Sequence, residues 1–222
     1  MLLLALDTAT PAVTVALHDG TEVLAESAEV DARRHGELLL PTVHRTLKAA
    51  GAELGAVTEI VVGVGPGPYT GLRVGLVTAA TFGAALGIPV HGLCTLDGIA
   101  CAAGRAGLTG PFVVATDARR KEVYWARYDD PRTRVTEPAV GHPADLSERV
   151  AGLPAVGAGA RLYPAAFAEV PEGMPEHQSA GALASLAAEK LARGEELLPD
   201  RPLYLRRPDA KVPANYKVVT PK

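Results

Sequence analysis

Two stretches of this sequence, half a chain apart, read alike, and any fold has to accommodate both. LLALDTATPAVTVALHDG from residue 3 and VVATDARRKEVYWARYDD from residue 113 run side by side at an offset of 110. Ala5 then meets Ala115, Asp7 meets Asp117, Val13 meets Val123, Ala16 meets Ala126 and Asp19 meets Asp129. Each copy reads as an apolar strand ending in Asp, a short turn, and a second strand whose apolar residues alternate with polar ones, as Val13, Val15 and Leu17 do. That pattern predicts a β-hairpin near the start of each half. An offset of 110 in a chain of 222 residues predicts two similar halves.

Behind the first hairpin the patterning predicts a strand over Val23 to Val30, a helix from about Glu37 to Ala50, a strand over Glu59 to Val64, a helix over Gly71 to Leu86 and a strand over Pro89 to Leu93. The second half predicts strands near Phe112 to Thr116, Val123 to Tyr128, Val135 to Val140 and Ala155 to Gly157, then a helix over Gly181 to Arg193. The expected fold class is α/β, with helices flanking a mixed sheet in each half. Two such halves, each built on a hairpin ending in Asp, resemble the RNase H-like, actin-like ATPase superfold. The expected organisation is one lobe over 1–105, a reduced second lobe over 106–205, and a tail over 206–222.

The body of the chain is acidic and its end is basic. Residues 200–222 carry Arg201, Arg206, Arg207, Lys211, Lys217 and Lys222 against Asp200 and Asp209, with Pro202, Pro208, Pro213 and Pro221 between them. This is expected to be an extended arm. A net charge of -3 excludes a nucleic-acid binder that uses its whole surface. Val74 to Leu96 contains no charged residue, but its glycines and Pro89 make it a buried helix and strand rather than a membrane span. MLLLALDTAT reads as a first strand, not a secretory signal. Cys94 and Cys101 form no disulfide or zinc pattern, and a cytoplasmic location is expected.

The stretch GVGPGPYTGLRVG, residues 63 to 75, lies between a predicted strand and a predicted helix. Thr70 can cap that helix, and Gly65 and Gly67 beside it allow an anion to approach the backbone. Asp7, Thr8, Gly65, Gly67 and Thr70 are therefore the candidates for a vestigial anion site. The loop lacks the Gly-Lys-Ser/Thr ending of a Walker A motif. Both hairpin turns, TATP after Asp7 and ARRK after Asp117, lack the glycine that brings backbone amides up to phosphates.

The helix after the loop carries Gly71, Gly75, Ala79 and Gly83 at steps of four, a nearly flat stripe. Each interior glycine costs roughly 1 kcal/mol relative to alanine, so the stripe needs something packed against it. The domain's own sheet is one candidate. The preceding helix offers Leu39, Val43 and Leu47, widened by Leu38 and Leu40, so the two helices are also a candidate partner interface.

LALDTAT, RRHGELLLPTVHRTLKAAG, VGVGPGPYTGLRVGLVTAATFGAALGIPVHGLCTLDGIA, DARRKEVYWARYD and PLYLRR, in that order, resemble the TsaB (YeaZ) family across nearly the whole chain. The Gly-Pro-Gly-x-Tyr/Phe-Thr-Gly-Leu-Arg loop is the most specific of these signals. The resemblance implies a non-catalytic subunit for N6-threonylcarbamoyladenosine formation in tRNA. It implies a heterodimer with a TsaD-like catalytic subunit and a TsaE-like ATPase in the larger complex, and leaves open a homodimer or a monomer when the chain is alone. It also implies that ATP or ADP and the metal belong to those partners, with no cofactor of the chain's own. Contact with tRNA would be indirect or made by the basic tail, and no membrane is involved.

The residues agree with that reading. His18, His35, His44, His91, His142 and His177 include no two at the spacing of a His-x-x-x-His metal pair. No Gly-x-Ser-x-Gly elbow occurs, and Ser27, Ser179 and Ser185 lie in ordinary contexts. No catalytic or metal residue is assigned. The alternative is an actin-like ATPase or a peptidase with its own active site, in which Asp7 and Asp117 would face each other across the cleft.

Overall fold

The computed structural model describes residues 1–146, 148–150 and 152–206, so the expected tail lies outside the described residues except for Arg206. The first hairpin is strand β1 (Leu3–Asp7) antiparallel to β2 (Ala12–His18), with Asp7 opposite Thr14. Strand β3 (Val23–Val30) pairs with β2. Helix α1 (His35–Ala49) leads to β4 (Glu59–Gly63), helix α2 (Tyr69–Leu86) leads to β5 (Val90–Leu93), and helix α3 (Thr95–Arg105) follows. The sheet order is β3-β2-β1-β4-β5, with β4 parallel to β1 and β5 parallel to β4.

The second hairpin is β6 (Phe112–Asp117) with β7 (Val123–Asp130). Short strands β8 (Thr133–Arg134) and β9 (Ala139–Gly141) both pair with β7, where the sequence predicts one strand over Val135 to Val140. Helix α4 (Pro143–Leu146), strand β10 (Ala155–Val156), helix α5 (Ala158–Leu162) and helix α6 (Ala180–Ala192) follow. Strand β10 runs parallel to β6, so the order β10-β6-β7-β8 repeats β4-β1-β2-β3. The second lobe is the reduced one: among the described residues its sheet has no counterpart of β5, and α5 has 5 residues where α2 has 18.

The repeat holds for the first strand of each hairpin and slips on the second. Asp7 pairs with Thr14 but Asp117 pairs with Val123, so the second turn is one residue shorter. A slip of one residue turns a strand over. Ala16 accordingly lies on the same sheet face as Leu3 and Ala5, whereas Ala126 lies opposite the face that carries Val113 and Ala115. Trp125, not Ala126, occupies the place equivalent to Ala16.

The two faces of the first sheet are covered from different parts of the chain. One face, with Leu4, Leu6, Val13, Val15 and Leu17, packs against Leu39, Val43 and Leu47 of α1 and Leu72, Leu76 and Ala79 of α2. The other, with Leu3, Ala5, Ala16 and Val61, packs against Leu183, Leu186 and Ala187 of α6. Helix α6 is drawn from the 106–205 segment, so that segment does not stay within the second lobe. Glu26 of β3 fixes the start of α6, accepting from the Ser179 hydroxyl at 2.8 Å and the Gly181 amide at 3.1 Å. The open edge of β5 is covered by the returning chain: Gly92 and Leu198 exchange amide-to-carbonyl bonds, and the Leu203 amide donates to the Val64 carbonyl at 2.8 Å.

Candidate functional site

The β1–β2 turn, the loop from Gly63 to Pro68 and the start of α3 converge on Asp7. The Asp7 side chain is fully buried, and each carboxylate oxygen has a donor: the Ala9 amide at 2.8 Å on one and the Thr95 hydroxyl at 2.8 Å on the other. Burial dominates, pushing its pKa up from 3.8 to about 6 against the opposing effect of those two donors. Thr95 in turn accepts from the Gly65 amide at 3.2 Å, while its own amide donates to the Gly65 carbonyl at 2.8 Å. Asp7 is thus a latch between the first hairpin, the glycine loop and α3.

The glycines are needed because the hairpin turn itself fills their space. A Cβ on Gly63 would lie 1.9 Å from the Asp7 carboxylate, and one on Gly67 would lie 2.1 Å from the Ala9 carbonyl oxygen. Gly65 has a φ of 95° and joins Pro66 through a cis peptide bond. On α2, the Thr8 hydroxyl donates to the Gly71 carbonyl at 2.8 Å and accepts from the Gly75 amide at 3.0 Å. It sits between the two groups that an uninterrupted helix joins directly. A Cβ on Gly75 would come within 2.6 Å of that hydroxyl, and one on Gly83 within 2.2 Å of Val90.

The predicted sites are corrected accordingly. Leu39, Val43, Leu47, Gly71, Gly75, Ala79 and Gly83 are all buried against this chain's own first sheet and its hairpin turn, because they form the inner stripes of α1 and α2. The outer faces carry the exposed apolar residues instead, with Leu40 55% exposed and Val77 64% exposed. Thr70 does not cap α2: the cap position is Pro68, and Thr70 lies within the first turn. Asp7, Gly65 and Gly67 do come together, linked through Thr95 and the Ala9 backbone, whereas Thr8 turns to α2 at Gly71 and Gly75.

Beside them, Thr8, Thr10, Pro11, His35, Thr70 and Arg119 line a cavity of about 200 Å³. His35 Nε2 donates to the Thr10 carbonyl at 2.8 Å. The turn of the second hairpin supplies Arg119, whose amide donates to Asp117 Oδ1 at 2.7 Å and whose guanidinium lies 3.4 Å from Oδ2. Gln178 ties the first turn to the approach of α6, donating to the Ala12 carbonyl at 2.9 Å and the Asp7 carbonyl at 3.2 Å while accepting from the Thr10 hydroxyl. Sequence reasoning missed Gln178, which belongs to no motif, and Thr95, which lies in a stretch that resembles the family but carries no assigned role; both meet their partners only through the fold. Among the described residues no group of three His, Cys, Asp or Glu could hold a metal ion, and no helix is long and apolar enough to cross a membrane.

The family model for TsaD, tRNA N6-adenosine threonylcarbamoyltransferase, matches residues 22–212. An uncharacterized protein of Mycobacterium tuberculosis is 47% identical over 212 residues, covering 94% of this chain and 93% of that protein. The tRNA threonylcarbamoyladenosine biosynthesis protein TsaB of Escherichia coli is 38% identical over 129 residues, 58% of this chain and 55% of that protein. The solved structure of YeaZ from Pseudomonas aeruginosa superposes with a TM-score of 0.78 at 34% identity, covering 92% of this chain and 99% of that one.

Proposed function

The chain belongs to the TsaB (YeaZ) family, within the wider group of TsaD-like domains, and from that premise we propose that it is a non-catalytic subunit for N6-threonylcarbamoyladenosine formation in tRNA. The observation that carries the proposal is the state of Asp7. Both of its oxygens are engaged by Thr95 and Ala9, and the Ala9 carbonyl fills the space beside Gly67. A triphosphate with its metal does not fit there: the carboxylate has no oxygen facing open space, and the group nearest the glycine is an acceptor where an anion needs donors. Asp117 is likewise engaged by its own turn, through Arg119.

The chemistry then belongs to a partner. We assign the outer faces of α1 and α2, centred on Leu40 and Val77, as the docking surface for a TsaD-like catalytic subunit, or for a second copy of this chain when that subunit is absent. ATP or ADP and the metal reside on the TsaD-like and TsaE-like partners, in the cytoplasm. A Leu40→Glu, Val77→Glu double variant tests the surface. Both positions are exposed, so the melting temperature should hold while co-elution with the TsaD-like subunit is lost. Undiminished co-elution would remove the assigned face. ATP turnover by the isolated chain, abolished by Asp7→Ala, would replace the whole reading with that of an enzyme.

A further inference from the structure

Arg119 lines the cavity beside Asp7, and further cations flank its lining residues on separate segments. Arg119, Arg120 and Lys121 follow one another in the β6–β7 turn with φ of 63°, 55° and 63°, a left-handed conformation that residues with a Cβ avoid. The turn is held closed by the Arg119 amide on Asp117, the Ala118 amide on the Glu122 carbonyl at 3.0 Å, and the Glu122 amide on the Arg119 carbonyl at 3.0 Å. All three basic side chains are exposed. Arg33 is also exposed, on the loop before α1, next to Ala32, which lines the same cavity as Arg119. Arg206 reaches the turn from the end of the described chain, donating to the Ala118 carbonyl at 3.0 Å and pairing with Glu122.

An aromatic pair adjoins these cations. Tyr204, two residues before Arg206, stacks on Tyr69 with ring centroids 5.2 Å apart and an interplanar angle of 23°. The two rings are 41% and 51% exposed, and the Arg73 guanidinium lies 4.4 Å from the Tyr69 centroid. In a chain with a net charge of -3, the six cations Arg33, Arg73, Arg119, Arg120, Lys121 and Arg206 outnumber Asp117 and Glu122, the carboxylates that pair with Arg119 and Arg206. Cations on separate loops suit a run of backbone phosphates, and exposed tyrosine faces suit an unpaired base. An acidic polypeptide would use the cations and leave the aromatic pair without a role.

We propose that this surface, built from the Arg119–Lys121 turn, Arg33 and the Tyr69–Tyr204 pair, is a direct contact site for RNA, with the basic side chains on phosphates and a tyrosine face under an unpaired base. It rests on the reading of the chain as a subunit for tRNA modification, and it places the RNA contact on the folded body. Fluorescence anisotropy of the full chain, alone and with its TsaD-like partner, against a labelled tRNA anticodon stem-loop and a blunt RNA duplex provides the test.

The triple variant Arg119→Glu, Arg120→Glu, Lys121→Glu should lower affinity for both RNAs at least ten-fold. It should also reduce the slope of log K against log salt by about two to three, the loss of three phosphate contacts. Tyr204→Ala should weaken stem-loop binding about five-fold or more and spare the duplex. Arg33→Glu, on a different loop, keeps the test open if the triple variant fails to fold, and should weaken both RNAs two- to ten-fold.

Variants that fold and bind RNA as the wild type does would overturn the proposal. So would polyglutamate binding as tight as RNA binding and indifferent to Tyr204→Ala. If the wild-type complex modifies tRNA and the triple variant matches it in binding and modification, the surface falls and the function stands. If the triple variant loses RNA while the wild-type complex makes no threonylcarbamoyladenosine, the surface stands and the function falls.

Discussion

Replacing Gly67 by alanine separates the two things a glycine-rich loop can be for. In this structure the added Cβ would sit 2.1 Å from the Ala9 carbonyl oxygen and 2.9 Å from the Ala9 carbonyl carbon, all backbone atoms that no rotamer can move aside. A close carbon–oxygen contact is about 3.3 Å, so the loop and the hairpin turn must part by about 1 Å. Asp7 accepts from the Ala9 amide, so that movement also loosens its latch. Overpacking of this kind costs about 1–3 kcal/mol, which for a chain of this size lowers the melting temperature by about 2–12 °C. Differential scanning calorimetry measures it directly, with Gly36→Ala as the control. Gly36 lies in the first turn of α1 with nothing within 4 Å of its added Cβ, and should be neutral or slightly stabilising. If Gly67→Ala melts within a degree of the wild type, the argument that the loop braces the hairpin is wrong. A phosphate cradle would show that result, with the loss appearing in nucleotide binding instead.

Other perturbations follow from the same contacts. Because burial raises the Asp7 pKa from 3.8 to about 6, the folded chain holds a proton in that window which the unfolded chain has released. Its contribution should therefore fall as pH rises from about 4 to 6, by about 3 kcal/mol. Asp7→Asn should flatten that segment of a stability–pH curve measured by urea unfolding, and an unchanged slope would assign the dependence elsewhere. Gln178→Ala leaves the Ala12 and Asp7 carbonyls and the Thr10 hydroxyl without a buried partner. It should cost about 3 kcal/mol, read as a lower urea midpoint at constant slope. Glu26→Ala removes the acceptor for Ser179 and Gly181 at the start of α6 and should cost about 1 kcal/mol, with hydrogen exchange quickening first in that helix.

The parts of the fold legible in the sequence are those with a local period. Strands β1, β2 and β3 and helices α1, α2 and α6 follow from the spacing of their apolar residues, and β3 alternates half-buried and exposed positions along its whole length. The register slip in the second hairpin was not legible, since a turn one residue shorter leaves the match at an offset of 110 intact while turning the strand over. Helix α3 was also missed. Gly98 and Gly104 lower its apparent propensity, and both are required by neighbours distant in sequence: Leu183 lies 3.1 Å and Pro131 2.5 Å from where their Cβ atoms would be. Gln178 is 168 positions from Thr10 and carries no motif, so only the folded chain brings it to the site.

The same limit explains why the small stripe on α2 was readable as a surface and not as an assignment. A small residue at every fourth position, Gly71, Gly75, Ala79 and Gly83, states that something approaches the helix closely, and it is silent on what does. Here the occupant is Thr8, whose hydroxyl enters the α2 ladder between Gly71 and Gly75, together with Val90 against Gly83. Once the inner stripe is filled from within the chain, a partner has only the outer faces to use. Their requirements are opposite in kind: the inner face tolerates no added atom, whereas exposed positions such as Val77 tolerate nearly any residue in the isolated chain. Substitutions on the inner stripe should therefore be read out as stability and those on the outer face as assembly. A variant such as Gly75→Leu, which loses both, reports on the hairpin and says nothing about the partner.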